Sequence, residues 1–404
     1  MKFSKPSQLF LVSTMGLVVA ALLAACQIVT IDYVFVADST GTDATSEGQI
    51  QVFAVDSQSG ALRQGAATVD SGGIAPISIA VSSDYANLYV ANKTSKNVVH
   101  FTIASNGTLT KKDVLSLSDT PVALTVNPAN SYLYVLTGTT SATLTEYALS
   151  SGTIGSAAAT KPLTFTGTNS SYPVSGDSLV PTALHVLADG TAVYASLYDA
   201  NAYNPGGTVS SSAHPGWVFG YTIGTGGALT ATTSSPYQAG IKPTAITSDP
   251  TVRFVYVTDF ASNQLIGYGI QTNDVLSFMT DGPYKTGNEP SGVVVDPRGK
   301  YIYVTNTLDA TVSAYSITMA TGTPSTISSS NSTDTEPMAI AVDPALGRFV
   351  FTGNYLGNTV SGFRLTADTG ALSQTQATPY TAGARPTAIA IVPHGNHSVQ
   401  AVAK

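Results

Sequence analysis

One motif recurs along most of this chain and limits what it can fold into. It is a proline, a run of small or β-branched residues, a turn, and an aromatic-valine segment that in most copies ends in Asp, Asn or Thr. Successive leading prolines are 45, 60, 62, 47, 47 and 49 residues apart. A period near 45–50 residues with four strand signals per repeat is typical of the blades of a β-propeller. The chain is therefore predicted to be an all-β, seven-bladed β-propeller, with leading prolines Pro76, Pro121, Pro181, Pro243, Pro290, Pro337 and Pro386.

One repeat shows the pattern in detail. Ser291–Val295 is small and apolar, as expected for an innermost strand that is crowded around an axis. Asp296–Gly299 has the composition of a turn, because proline presets φ and glycine tolerates a positive φ. Tyr301–Thr305 is β-branched and aromatic, and Thr311–Ile317 alternates as a third strand. A weaker outer strand is expected near Ser325–Ser328.

The two ends of the chain predict how the ring closes. Tyr33–Asp38 matches the second strand of a blade, so the first blade lacks an innermost strand. Arg385–Ile391 matches an innermost strand with no clear second strand after it. The C-terminal strand is therefore expected to complete the first blade, which removes open sheet edges. The propeller is expected to occupy 32–404.

The N-terminal segment is predicted to be a targeting sequence. Lys2 and Lys5 precede an apolar run that ends in Leu-Ala-Ala-Cys at Cys26, the single cysteine of the chain. This arrangement resembles a bacterial lipoprotein signal. It implies a signal peptide over 1–25, a lipid on Cys26 and a short tether over 26–31, with the protein anchored to a membrane on the exported side of the bacterial cell envelope. The alternative is an ordinary signal peptide with an incidental cysteine.

Composition and motifs exclude several classes of function. Charged residues make up 10% of the chain and the net charge is −7, so no basic footprint for nucleic acid is present. The sequence contains no glycine-rich phosphate loop, no Gly-x-Ser-x-Gly elbow and no Cys/His metal spacing. No cofactor and no metal are expected.

The repeats resemble a known family. The stretch 242–393 is similar to the 6-phosphogluconolactonase-like seven-bladed propellers. The segments "LYVANKTSKNVVHFTI" and "YIYVTNTLDATVSAYSI" also look like the Tyr-Val-Thr-Asn repeats of surface-layer propellers. The resemblance implies Arg, His and Glu around one mouth of the channel. The matching positions here are neutral or carry a lone acid: Thr244, Ser291, Gly292, Asp296, Thr307 and Thr387.

Other polar residues remain as site candidates. The residues before four neighbouring leading prolines are Lys242, Glu289, Glu336 and Arg385, which places two cations and two acids at one end of the inner strands. The alternative is a mutually neutralising, solvated rim. His185 lies on an inner strand and is a weak catalytic candidate together with Glu289 and Glu336; a satisfied structural histidine is the alternative.

Two insertions lengthen the third and fourth repeats on what should be the same face. They are "TGTNSSYPVSGDSL" and "DANAYNPGGTVSSSAHPGW", and they contribute Tyr172, Tyr203, His214 and Trp217 as ligand-binding candidates. Exposed aromatic rings suit stacking on sugars or gripping a partner loop. The alternative is a loop that covers its own aromatics.

The sequence leaves three hypotheses for function. The first is a lipid-anchored binding or scaffold module that holds a glycan, a peptide or an envelope protein. The second is a divergent lactonase that hydrolyses a sugar lactone. The third is a purely structural role in the envelope.

Overall fold

The computed structural model of the chain describes residues 29–39, 45–164, 178–204, 208–209 and 214–400. These residues form seven antiparallel sheets of four or five strands and one two-stranded ribbon. The innermost strand of each sheet contacts that of the next sheet all the way around, which closes a ring. The prediction of an all-β, seven-bladed β-propeller is confirmed.

The strands of the first three blades follow the chain in order, apart from the closing strand of the first blade. They are β1 (Thr30–Asp38), β2 (Gln49–Asp56) and β3 (Leu62–Asp70); β4 (Pro76–Val81), β5 (Asn87–Asn92), β6 (Asn97–Ile103) and β7 (Leu109–Ser116); and β8 (Pro121–Val126), β9 (Tyr132–Thr137), β10 (Ala142–Ser150) and β11 (Thr153–Leu163).

The fourth blade carries the ribbon, and the outer strand of the fourth, fifth and seventh blades is split in two. The fourth and fifth blades hold β12 (Leu179–Val186), β13 (Ala192–Asp199), the ribbon β14 (Tyr203–Asn204) and β15 (Thr208–Val209), β16 (Trp217–Ile223), β17 (Leu229–Ala231) and β18 (Tyr237–Gln238), then β19 (Pro243–Ser248), β20 (Phe254–Asp259), β21 (Gln264–Ile270), β22 (Leu276–Phe278) and β23 (Tyr284–Lys285).

The last two blades and the closing strand complete the ring. They hold β24 (Pro290–Val295), β25 (Tyr301–Asn306), β26 (Thr311–Ile317) and β27 (Pro324–Ser332), then β28 (Pro337–Val342), β29 (Phe349–Asn354), β30 (Thr359–Leu365), β31 (Leu372–Gln374) and β32 (Tyr380–Thr381), and finally β33 (Pro386–Pro393). Short 3-10 helices cover Thr225–Gly227, Thr272–Asp274 and Gly395–Val399.

The C-terminal strand closes the first blade, as predicted. The sheet order is β3-β2-β1-β33, and β33 pairs antiparallel with β1 so that Val34 faces Ile391 and Val36 faces Ile389. The first and last strands of the described propeller therefore share one sheet, and β1 has no open edge.

Every blade has a β-bulge next to its leading proline. In six blades the register shifts between the proline and the residue two positions later, and in the first blade it shifts between Ala37 and Asp38, opposite Pro386. The residue that follows the proline is thereby left out of the pairing. A bulge redirects a side chain at the end of a strand, which determines what the residues at the channel end can contact.

The hydrophobic core consists of clusters between adjacent sheets. A tyrosine in the middle of a second strand also crosses to the next blade: Tyr89 donates to the Gly152 carbonyl and Tyr256 to the Gly322 carbonyl, each at 2.6 Å, and Tyr303 donates to the Gly370 carbonyl at 2.8 Å. These hydroxyls satisfy buried turn carbonyls, which links neighbouring blades through hydrogen bonds as well as apolar packing.

The predicted signal peptide and Cys26 lie outside the described residues, so the lipid anchor remains a prediction. Among the residues that are described, no helix has the length and apolar character needed to cross a membrane.

Candidate functional site

The central channel is a cavity of about 480 Å³ lined by the innermost strands. Most of its lining residues have aliphatic side chains, but more of the exposed wall is polar than apolar, with hydroxyl groups from Ser78, Thr182, Thr247, Ser291 and Thr387. Among the described residues that line the channel, His185 is the one ionisable side chain. The wall therefore presents neither a carboxylate nor a cation to a molecule inside it.

His185 is paired with a neutral partner. Its Nε2 atom is 2.8 Å from the Ser248 hydroxyl, and burial lowers the pKa of the imidazole to about 4. The ring is therefore neutral at pH 7. General-base catalysis is most effective when the pKa lies near the working pH, so His185 is poorly suited to activate water.

The hydroxyls that follow three leading prolines bond to the next blade. Thr244 donates to the Pro290 carbonyl at 2.8 Å, Ser291 to the Pro337 carbonyl at 3.0 Å, and Thr387 to the Pro76 carbonyl at 2.7 Å. The bulge beside each proline leaves the backbone of these residues out of the pairing. Each hydroxyl also lies within hydrogen-bond distance of a group in its own sheet: Thr258, Thr305 and the Ala37 carbonyl. The family resemblance implies ionisable groups at the positions of Thr244, Ser291 and Thr387. Here these positions carry hydroxyl groups that form hydrogen bonds between neighbouring blades.

We call the end of the channel formed by the residues before the leading prolines the proline-side mouth. Lys242, Glu289, Glu336 and Arg385 all lie there as predicted from the repeat, and all four are half-buried. Burial lowers the pKa of the Lys242 ammonium, and the charge of nearby Glu289 opposes this shift. The predicted group therefore occupies a single sector of the mouth, formed by the fifth, sixth and seventh blades and the closing strand.

Aromatic rings hold the two cations of the mouth. The Lys242 Nζ atom is 4.2 Å from the ring centroid of Phe260 and 5.7 Å from that of Tyr198. The Arg385 guanidinium carbon is 5.8 Å from the ring centroid of Tyr355. Cation–π contacts of this kind orient the charged groups and cover one face of each ring.

Part of the backbone at the mouth is left-handed, a conformation that twelve other non-glycine residues in the described part of the chain also adopt. Ala75, Glu289, Glu336 and Arg385 have φ values of 59°, 56°, 55° and 58°, in the left-handed region. Such a conformation costs on the order of 1–3 kcal/mol for a residue with a side chain, and it is concentrated at functional sites. Three of these four residues, Glu289, Glu336 and Arg385, carry charged side chains.

Exposed apolar side chains lie in the same sector. Leu308 is 67% exposed in the connection between β25 and β26, and Leu356 is 53% exposed in the connection between β29 and β30. Met338, two residues beyond Glu336, is 42% exposed. The residue types of these positions gave no sign of a site, although each position follows a fixed point of the repeat: the end of a second strand or a leading proline.

The insertion residues take different places. Tyr172 lies outside the described residues, and for Tyr203 only the backbone of β14 is described. The His214 ring bonds the buried Asp199 carboxylate through Nδ1. Trp217 is 5% exposed and packs in the core between the third and fourth blades. Contrary to the expectation for this insertion, its indole is therefore not offered to a ligand at the surface.

The closed ring of seven blades places the protein in the class of seven-bladed β-propellers. Comparison with known families then identifies the particular family. The family model described as "Lactonase, 7-bladed beta-propeller" matches residues 23–116, 47–163 and 217–391. Together these segments cover more than half of the chain, so the chain belongs to this family.

Solved structures share the fold at low sequence identity. A candidate 6-phosphogluconolactonase of Bacteroides fragilis is 17% identical over 90% of this chain and 98% of its own, with a TM-score of 0.71. The periplasmic gluconolactonase of Pseudomonas aeruginosa is 17% identical over 89% and 99%, with a TM-score of 0.70. A functionally unknown protein of Desulfotomaculum acetoxidans is 14% identical over 91% and 100%, with a TM-score of 0.63. No curated protein matches the sequence.

Proposed function

We propose that this chain is a cell-envelope binding or scaffold protein that holds its partner at the proline-side mouth, beside Lys242, Glu289, Glu336 and Arg385. The observation that carries the proposal is the use of Thr244, Ser291 and Thr387 to bond neighbouring blades. Lactone hydrolysis needs a base for water and a donor or cation for the oxyanion. The described channel wall offers His185 alone, and its pKa is low.

The composition of the mouth favours a peptide segment of an envelope protein over a neutral glycan. Sugars stack on open aromatic faces, but Lys242 covers a face of Phe260 and Arg385 lies over Tyr355. Exposed Leu308 and Leu356 beside charges of both signs suit a segment with apolar and charged side chains.

Site-directed photocrosslinking tests the binding surface. A benzophenone amino acid replaces Leu308 or Leu356 in the producing cell, and the matched control replaces Phe278, which is 48% exposed on an outer strand. Crosslinked envelope-protein adducts are expected from the first two positions and not from Phe278. Their yield should fall at least about tenfold in a Lys242→Ala/Arg385→Ala background, which corresponds to a loss of about 1.4 kcal/mol.

The control for charge loss is Lys112→Ala, because Lys112 is exposed on an outer strand far from the mouth. Equal adducts from all three crosslinker positions, or none from any, would contradict the proposal.

A divergent lactonase is the second candidate, because one similar structure is a periplasmic gluconolactonase. The assay measures hydrolysis of gluconolactone and 6-phosphogluconolactone above the uncatalysed rate. No turnover is expected. Turnover that disappears in Glu289→Gln/Glu336→Gln would establish the enzyme instead.

Attachment through a lipid on Cys26 is part of the proposal and is supported by the Leu-Ala-Ala-Cys motif. Mass spectrometry of the mature N-terminus should show a diacylglyceryl group on this thiol, and Cys26→Ser should move the protein from the membrane to the soluble fraction. An unmodified N-terminus other than Cys26 would refute the anchor.

A further inference from the structure

Three buried side chains meet where the ring closes. Asp32 lies on β1, Asp343 follows β28, and His397 lies in the 3-10 helix after β33; they are 0%, 0% and 4% exposed. His397 Nε2 is 3.3 Å from Asp32 Oδ1 and 3.2 Å from Asp343 Oδ1. Their donor atoms all lie within 4.8 Å of one another. This cluster is at the end of the channel opposite the proline-side mouth.

The role of Asp343 in its turn is evident. It accepts backbone N–H groups of Ala345 at 2.9 Å and of Arg348 at 3.0 Å. Asp249 and Asp296 accept backbone N–H groups in the same way in the fifth and sixth blades, from Arg253 at 2.6 Å and Lys300 at 2.8 Å. One carboxylate of the cluster is therefore a recurrent turn cap.

Asp32 has no such role. Its carboxylate oxygens accept no hydrogen bond among the described residues, and their ionic contact there is His397 Nε2, 3.3 Å from Oδ1, although the side chain is fully buried. The corresponding residues of the fifth, sixth and seventh blades are Arg253, Lys300 and Arg348, so the first blade alone among these four places an acid there. A buried carboxylate without a compensating partner is strongly destabilising.

The two ring nitrogens of His397 face different partners. Its Nδ1 atom is 3.0 Å from the Gln400 side-chain oxygen, and a proton on Nδ1 would leave Nε2 available to an ion. Nε2 then faces the two carboxylates. Histidines that bind metals are held in this way, with the second ring nitrogen donating to an oxygen.

We propose that Asp32, Asp343 and His397 form a binding site for a divalent transition-metal ion of the zinc class. Two carboxylates, a neutral imidazole and a divalent ion sum to zero charge, so a bound ion would neutralise the buried cluster. Ligands about 2.1 Å from zinc, at angles of about 90–109°, lie about 3.0–3.4 Å apart, and the observed separations are 3.2 and 3.3 Å.

The donor set also discriminates between ions. Calcium and magnesium take oxygen ligands, whereas imidazole with carboxylate suits zinc and its neighbours. The site would fasten the C-terminal helix to the first and seventh blades. Its role would be structural, because all three side chains are buried.

Metal analysis tests the site on the full, untagged chain carrying Cys26→Ser, which removes a competing thiol. After treatment with dipicolinate and desalting, the protein is incubated with micromolar Zn²⁺ and desalted again. About one zinc ion per chain is expected, together with an upward shift of the melting temperature by a few degrees. Co²⁺ should give visible absorption bands in the same preparation.

Variants locate the ion. Asp32→Asn and His397→Gln should each reduce bound zinc to below about a tenth of an ion per chain and abolish the cobalt bands. The matched control is His100→Gln, because His100 pairs with a single carboxylate, Asp113, at 2.9 Å; this variant should retain the ion. The cluster has no metal role if the parent chain takes up no zinc, or if folded Asp32→Asn and His397→Gln keep it. If a variant does not fold, the zinc content of the parent chain alone decides whether the cluster binds an ion.

Discussion

His185 places an imidazole on the channel wall, and its environment makes stability depend on pH. Burial lowers the pKa of this ring to about 4 from an ordinary value of 6.5. The folded state therefore disfavours the charged form. Above pH 6.5 the ring is neutral in both states, and as the pH falls from 6.5 to 4 the unfolded chain takes up a proton that the folded chain does not.

The free energy of unfolding should accordingly fall across this window by up to about 3 kcal/mol, with water in the channel reducing the effect. In His185→Gln this part of the decrease should disappear. Urea unfolding at pH 7.5 and pH 4.5 measures it, and His394→Gln serves as the control histidine. An equal decrease in His185→Gln and in the parent would show that the ring is already solvated.

The residues of the proline-side mouth were predicted only in part from the sequence. The repeat predicted that Lys242, Glu289, Glu336 and Arg385 share one end of the inner strands. It did not predict the left-handed backbone of Glu289, Glu336 and Arg385, because nothing in their residue types requires a positive φ. It also missed Phe260 and Tyr355, since contacts between side chains that lie outside the strands cannot be read from the repeat. Lys242 and Phe260 belong to one blade, whereas Arg385 and Tyr355 belong to adjacent blades.

The second strands of the blades are linked sideways by tyrosine hydroxyls. Tyr303 on β25 is fully buried and donates to the carbonyl of Gly370, a residue with φ of 71° in the outer turn of the next blade. The Tyr301 ring fills the place that a side chain at Gly370 would need, since a Cβ there would lie 2.2 Å from a ring carbon. Glycine and tyrosine thus fit together across the blade boundary.

Tyr303→Phe should lower the free energy of unfolding by about 1–2 kcal/mol, because it leaves the Gly370 carbonyl buried without a donor. Urea denaturation measures the change. Tyr147→Phe is the matched control, since the Tyr147 hydroxyl makes no hydrogen bond among the described residues, and it should stay within about 0.5 kcal/mol of the parent. Equal effects of the two changes would show that the hydrogen bond between the blades contributes nothing.

In the sixth blade the bounds of the second and third strands followed from local patterns, whereas the outer strand, Pro324–Ser332, is longer than the predicted Ser325–Ser328, and the bulge was not predicted. The third strand of the sixth blade is Thr311–Ile317, as predicted, and the second differs from the prediction by one residue. The bulge next to each proline was not foreseen, because the proline and the residue after it look like a regular strand start. The hydroxyl bonds between blades are a consequence of that bulge.

The ring as a whole depends on one pairing between distant segments. Removal of 386–404 would strip β33 from the first blade and expose the edge of β1, while deletion of 401–404 leaves the pairing intact. The larger truncation is expected to lose the cooperative thermal transition and to aggregate, as judged by circular dichroism and size-exclusion chromatography. A monomer with the melting temperature of the parent would show that closure is not required.

The sequence by itself determined the number of blades, the leading strand of each and the way the ring closes. These follow from a period and from strand and turn signals that are local in the chain. Only the tertiary structure decided that Trp217 is buried, that Thr387 donates a hydrogen bond to the next blade, and that Asp32, Asp343 and His397 lie together. The physical reason is distance along the chain: such contacts form only after seven separate sheets have curved around a common axis and brought the two ends together.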